Sequence, residues 1–255
     1  MTQTLRGALG RLFPARKLVC IGHSHTEPLA AAATQAGVPL DVLNFWHLPN
    51  PFTLEDGQQR MAPALRARLV GPVFSLVGGA VHQDVGLVVH PRPFDFIWPG
   101  APDLPVTEGA EIIPYGAVHA AMALRTQPYL DIMSAVRASA PERVFHMESP
   151  PPYEHEELPR DDPGFYHFFG KDAAFSPAWL RYKLWRVHSG IVAAHCRAAG
   201  IGFIAHPPES VTPSGFLRAE LHGTPAHANA AYGALVLAQM QRAARRAWPW
   251  DRGAG

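Results

Sequence analysis

Two short stretches, far apart in the chain, carry residue types that do chemistry together. Residues 17–29 read KLVCIGHSHTEPL: an apolar run, a glycine, a serine between two histidines (His23, Ser24, His25) and a helix start. Residues 223–233 read GTPAHANAAYG and contain His227. A hydroxyl at the N-terminal end of a helix suits attack on a carbonyl, because the free N–H groups and positive end of the helix favour developing negative charge. A neutral hydroxyl is a weak nucleophile. It needs a base within hydrogen-bond reach to take its proton, and that base can then protonate the leaving group. Imidazole titrates near neutrality and fits the role. Ser24 is therefore the candidate nucleophile and His227 the candidate base. The oxyanion formed by attack needs donors fixed beforehand. The backbone N–H groups of Ser24 and Gly79 are candidates, since a glycine leaves the backbone open to a ligand.

Each of these residues also has a plainer use. Ser24 reads as a helix cap, His227 as a start-of-helix residue, Gly78 and Gly79 as a strand-end turn, and Glu148 as a structural acid under a proline-rich loop. His23, His25, His82 and His90 include an H-x-H spacing that suits a metal, but no carboxylate motif accompanies it. The expectation is that no metal and no cofactor are required.

The elements that must position the two stretches follow from patterning. Strands are expected at residues 18–21, 40–45, 73–77, 143–147 and 201–205. Helices are expected from Thr26, as cap, to about Gln35, over 54–69, over 116–138 with a kink or split at Pro128, from Ser176-Pro177 to Gly200, and from about Asn229 to Arg246. Residues 80–89 show no clear period. The alternation of strand and helix implies an α/β fold, a single three-layer domain over residues 1–255 with a parallel sheet between two helix layers. Residues 1–16 form an N-terminal extension, and 148–175 a long loop rich in proline and aromatic residues. Ligands of such sheets collect at the carboxyl ends of the strands, where Ser24, Gly79, Glu148 and His227 can all meet.

Composition narrows the function. The 255 residues are 47% hydrophobic and 17% charged, enough for one large core. A formal net charge of +1 argues against a nucleic-acid partner. No apolar run approaches the ~18 residues of a membrane span. Cys20 and Cys196 are too few for a disulfide framework, and no signal-peptide pattern precedes the first strand, so a cytoplasmic location is the expectation. The 26 prolines cluster with aromatic residues such as Tyr153, Phe165, Tyr166, Phe168 and Phe169, which describes stiff loops that line a pocket, anchor a lid or pack a subunit contact.

Together these blocks resemble those of the SGNH (GDSL-type) esterases and acyl hydrolases. IGHSHTEPL is similar to the family's first block, with Ser24 as nucleophile; GTPAHANAAYG to its last, with His227 as base; and FSLVGGAVHQ to its third. The resemblance implies a flavodoxin-like fold with a five-stranded parallel sheet, and hydrolysis of a small-molecule or carbohydrate acyl ester or acyl transfer through the same acyl-enzyme. Three positions depart from the pattern. His23 replaces an aspartate, Ala80 replaces the asparagine that completes the oxyanion hole, and Thr224 replaces the aspartate that orients the base. Gly57 is the nearest candidate for the second-block glycine. Gln83 and His82 are candidate oxyanion or substrate donors. Thr224, Glu148, Glu220 and His222 are candidates to steady His227. The departures also open a second possibility, a catalytically degenerate protein of this fold that binds a carbohydrate or acylated metabolite. The oligomeric state is not fixed by the sequence.

Overall fold

Every residue of β1 (Leu18–Gly22) is buried, as a strand covered on both faces requires. Its alternate side chains feed two separate cores. Val19 and Ile21 enter one, and Leu18 and Cys20 enter the other. In the computed structural model, which describes residues 17–140, 143–155, 173–224 and 227–247, β1 sits inside a five-stranded sheet. Its neighbours are β2 (Leu40–Asn44) and β3 (Val73–Leu76), and β4 (Val144–Met147) and β5 (Gly202–Ile204) follow in that order. All four pairings are parallel. The order β2-β1-β3-β4-β5 is the flavodoxin-like arrangement, with its switch point between β1 and β3.

Helices cover both faces. α1 (Thr26–Gln35) packs on the C-terminal helix α4 (Ala230–Ala247) over the Leu18 and Cys20 core. α2 (Tyr115–Ser139) packs on α3 (Ala178–Ala199) over the Val19 and Ile21 core. The expected α/β three-layer fold is thus the observed one. Both cysteines are free and buried, and burial pushes both thiols up, Cys196 to about 12.

Three local expectations are corrected. No long helix spans residues 54–69. Phe52–Glu55 and Gln58–Met61 form an antiparallel hairpin, and only Pro63–Arg66 is helical. The hairpin turns on Asp56 and Gly57, both at positive φ (50° and 73°), the Asp-Gly pair that a two-residue turn favours. Gly57 therefore serves this turn. Pro128 does not split α2, because Val118 and Met122 before it and Leu130, Met133 and Val136 after it bury in one core and keep the helix continuous. Residues Val81–Gly86, without sequence period, form a short helix. Thr26 is the first residue of α1 rather than its cap; its hydroxyl donates to the His23 carbonyl at 2.7 Å.

The proline-rich segment after residue 90 is pinned by one buried ion pair. Lys183 Nζ lies 2.6 Å from Asp95 Oδ1, with side-chain exposures of 1% and 0%. The ammonium also donates to the carbonyls of Phe96 and Pro105, and Asp95 accepts from Thr107 N and Oγ1. The lysine on an otherwise apolar helix face is explained by that set of acceptors. The expected N-terminal extension, Pro141, and Phe165, Tyr166, Phe168 and Phe169 of the long loop lie outside the described residues. None of the helices among the described residues is long and apolar enough to cross a membrane.

Candidate active site

Ser24 stands two residues beyond β1, and Gly79 three beyond β3, so both occupy the carboxyl edge at the switch point. His227 reaches them from the segment before α4. Its Nε2 lies 2.7 Å from Ser24 Oγ. Its Nδ1 lies 2.9 Å from Thr224 Oγ1. One tautomer satisfies both contacts: the Nδ1–H donates to Thr224, and Nε2 accepts from the serine hydroxyl. Burial holds the His227 imidazole below its ordinary range, opposed by the charge of Glu27. The ring is therefore neutral near pH 7 and free to accept a proton.

Two devices bring these side chains together. The first is helix packing. A Cβ on Gly233 would sit 2.2 Å from the Pro28 carbonyl oxygen, so only glycine lets α4 approach α1 this closely. Ser24 precedes α1 and His227 precedes α4, and the two helix starts converge for that reason. The second is Tyr153. Its hydroxyl lies 2.6 Å from the Thr224 carbonyl and 2.5 Å from the His227 carbonyl, and it accepts from Gly223 N at 3.1 Å. Burial pushes the phenol up to about 12, so it remains a donor. Its ring stacks on His222 at 3.8 Å. Asn229 completes the turn, accepting from Ala231 N and Tyr232 N and donating to the carbonyls of Glu220 and His222.

The backbone N–H groups of Ser24 and Gly79 make no hydrogen bond among the described residues. Of the two glycines after β3, Gly78 is sterically required and Gly79 sits in a crowded spot. Gly78 has φ +72°, and a Cβ there would lie 2.8 Å from Tyr129. A Cβ on Gly79 would lie 3.0 Å from the His25 ring.

The other candidates divide. His82 and Gln83 line a narrow cleft with His227, Tyr153 and Arg181. A second space lies against His25, Gly79, Leu76 and Tyr232. Each has a volume of about 20 Å³, room for about one water. Glu148 does not orient His227. Its carboxylate is taken by Ser189 Oγ, by His206 Nδ1 at 2.7 Å and by His206 N at 3.0 Å. His222 does not orient it either, because its Nε2 bonds the Leu217 carbonyl at 3.0 Å. Glu220 pairs with Arg218 on the surface. Of the candidates to steady His227, Thr224 alone touches the ring.

The four histidines of the H-x-H set do not converge. His23 meets Phe45 and Tyr129 edge-on, His25 faces His227, His82 faces His188, and His90 bonds the backbone of Arg92. Among the described residues, no group of three or more histidine, cysteine or acidic side chains is arranged to hold a metal ion.

Sequence reasoning did not single out the function of Tyr153 or the burial of His146 and His188. His188 falls on the apolar stripe of α3, four residues after Leu184, which marked it as inward-facing. Nothing local distinguished Tyr153 from the other aromatic residues of its loop.

No protein-family model matches the chain, and the search of curated proteins finds no match. Among solved structures, the chain is similar to a GDSL-like lipase from Bacteroides thetaiotaomicron, at 10% identity, TM-score 0.44, covering 97% of this chain and 98% of that one. It is also similar to a carbohydrate acetylesterase from Sinorhizobium meliloti, at 14% identity, TM-score 0.41, covering 91% and 99%. A third is the periplasmic domain of a lipopolysaccharide acetyltransferase from Salmonella ser. Paratyphi A, at 12% identity, TM-score 0.39, covering 95% and 89%. These likenesses are remote.

Proposed function

We propose that this protein is a serine acyl hydrolase of SGNH type, or an acyltransferase that uses the same acyl-enzyme. The observation that carries this is the 2.7 Å contact between Ser24 Oγ and His227 Nε2, made by residues 203 positions apart at the mouth of a parallel sheet. Ser24 attacks the ester carbonyl as His227 Nε2 takes its proton. The N–H groups of Ser24 and Gly79 receive the oxyanion. Collapse expels the alcohol, which leaves with the proton from His227, and Ser24 carries the acyl group. Water or a second alcohol then attacks with His227 again as base, and Ser24 is released. These steps call on no cofactor. The spaces of about 20 Å³ lined by His227 and by Gly79 favour a short acyl group such as acetyl.

The test is labelling with a fluorophosphonate probe, together with hydrolysis of 4-nitrophenyl acetate against the octanoate. We expect one labelled site, absent in Ser24→Ala, and a strong preference for acetate. Ser24→Ala should lower turnover by ~10³-fold or more, because the nucleophile is gone and only the oxyanion donors remain to favour the transition state. Thr224 at the position of an orienting aspartate, and Ala80 at that of a donor asparagine, support a second reading as a degenerate binding protein. Folded protein that neither labels nor turns over ester would favour it.

A further inference from the structure

A much larger cleft, about 500 Å³, opens at the same sheet edge between the start of α2, the middle of α3 and the segment after β5. Trp98, Tyr115, His119, Arg186, Glu148 and His206 are among its walls. Glu148 also lines the small space beside His25 and Gly79, so one carboxylate separates the two sites.

Arg186 is the first sign of a ligand. Its guanidinium carbon lies 5.5 Å from the centre of the Trp98 ring and 5.4 Å from that of Trp185. No carboxylate among the described residues pairs with it. Its Nε is buried without a hydrogen-bond partner. A partly desolvated cation between aromatic rings gains from the ring faces but lacks an anion. His206 is the second sign. Glu148 fixes its Nδ1 at 2.7 Å, which sets the ring and leaves Nε2 for an outside partner. Burial opposes ionisation of Glu148, but the bonds from His206 and Ser189 outweigh it and hold the carboxyl below its ordinary range. That negative charge is therefore already engaged, whereas the guanidinium pairs with no carboxylate among the described residues. Trp98 and Tyr115 add flat apolar walls, and the volume lies within the usual range for a small organic ligand.

We propose that this cleft binds a small organic anion, with a carboxylate or phosphate group held by Arg186 and His206 and its body against Trp98 and Tyr115. Guanidinium is suited to both groups because its N–H fork matches two oxygens. The site does not depend on the chemistry of Ser24, so failure of the serine labelling leaves it standing.

The test is titration of the full chain with inorganic phosphate, acetate, glucuronate and a hexose phosphate at low ionic strength. Calorimetry and tryptophan fluorescence report binding, since two tryptophans flank Arg186. We expect saturable binding near the millimolar range for at least one organic anion. Glucuronate against hexose phosphate identifies the preferred group. Arg186→Gln and His206→Gln should each weaken binding at least tenfold, while Ser24→Ala leaves it unchanged. If one of the two glutamine variants fails to fold, the other decides. No saturable binding of any of the four anions, or affinity unchanged in a folded glutamine variant, overturns the proposal.

Discussion

The imidazole proposed as base, His227, is steadied by a hydroxyl instead of a carboxylate. Thr224 accepts the Nδ1–H of His227 at 2.9 Å and so fixes the tautomer, but it brings no charge to stabilise the imidazolium that the proposed attack would form. Thr224→Asp should therefore raise kcat about tenfold, a fraction of the ~10⁴ that such a carboxylate contributes in serine proteases. The pH profile supplies a second readout. As the proposed base His227 must be neutral, and burial lowers its pKa, so activity should persist below the ordinary histidine range and fall only as pH drops through that lowered value. An adjacent carboxylate favours the charged ring, so the acidic limb of Thr224→Asp should move to higher pH. An unmoved limb would separate Thr224 from the base. Tyr153 acts one step further out. Its hydroxyl joins the carbonyls of both Thr224 and His227. Tyr153→Phe should lower kcat about tenfold with little change in KM, and should slow fluorophosphonate labelling in proportion, because a misplaced base costs rate more than binding.

Among the elements, the α1–α4 contact decides whether there is a site. The glycine at 233 was legible as part of a short block, but its reason is packing: a side chain there meets the backbone of Pro28. Gly233→Val should cost about 1–3 kcal/mol of stability by overpacking. It should also reduce kcat more than ~10²-fold, since a displacement of about 1 Å between nucleophile and base is enough. Chemical denaturation beside steady-state kinetics checks both; full activity in a destabilised variant would mean that helix spacing does not set the Ser24–His227 distance. The five sheet strands and four long helices were readable because each carries its own period and stop signals. The hairpin at Phe52–Met61 was not, since leucine, glutamate and glutamine there also suit a helix and only Asp56-Gly57 signalled the turn. At Pro128 only the expected split is overturned, since the helix runs on through it. The local cost of proline is real, and burial on both sides of it outweighs that cost.

At the scale of the whole molecule, the unusual feature is a set of buried histidines behind the site. His25, His82 and His188 have buried ring nitrogens without a hydrogen-bond partner among the described residues, and His146 bonds only Ser75 there, at 3.3 Å. Burial, with a smaller part from neighbouring histidines, pulls His25 and His146 down to about 3, and burial pulls His188 to about 4. His82 is also held well below its ordinary range by burial, slightly opposed by the Gly79 backbone. In the unfolded chain all four titrate near pH 6.5. Between the two ranges the unfolded state binds more protons, so stability is complete above about pH 6.5 and falls as pH drops below it, by about 1 kcal/mol per pH unit for each such histidine. Glu148, held below its ordinary range, adds to the loss in the acid region. Thermal unfolding followed from pH 8 to pH 4 should show a steep decline in Tm beginning near pH 6, and His188→Phe should make it shallower. A flat profile across that interval would mean that these rings are not held neutral.

By itself the sequence determined the layered architecture, the two ends of chain that carry reactive groups, and the three positions where the familiar blocks change. These are local properties: period, turn chemistry and residue type are written within a few neighbours. Tertiary structure alone decided that Thr224, and neither Glu148 nor His222, meets the His227 ring, that Tyr153 ties the loop, and that the Arg186 guanidinium lines a second cleft. Each of those depends on which polar atoms meet across strands and helices far apart in the chain, and that pairing exists only after the two cores have closed.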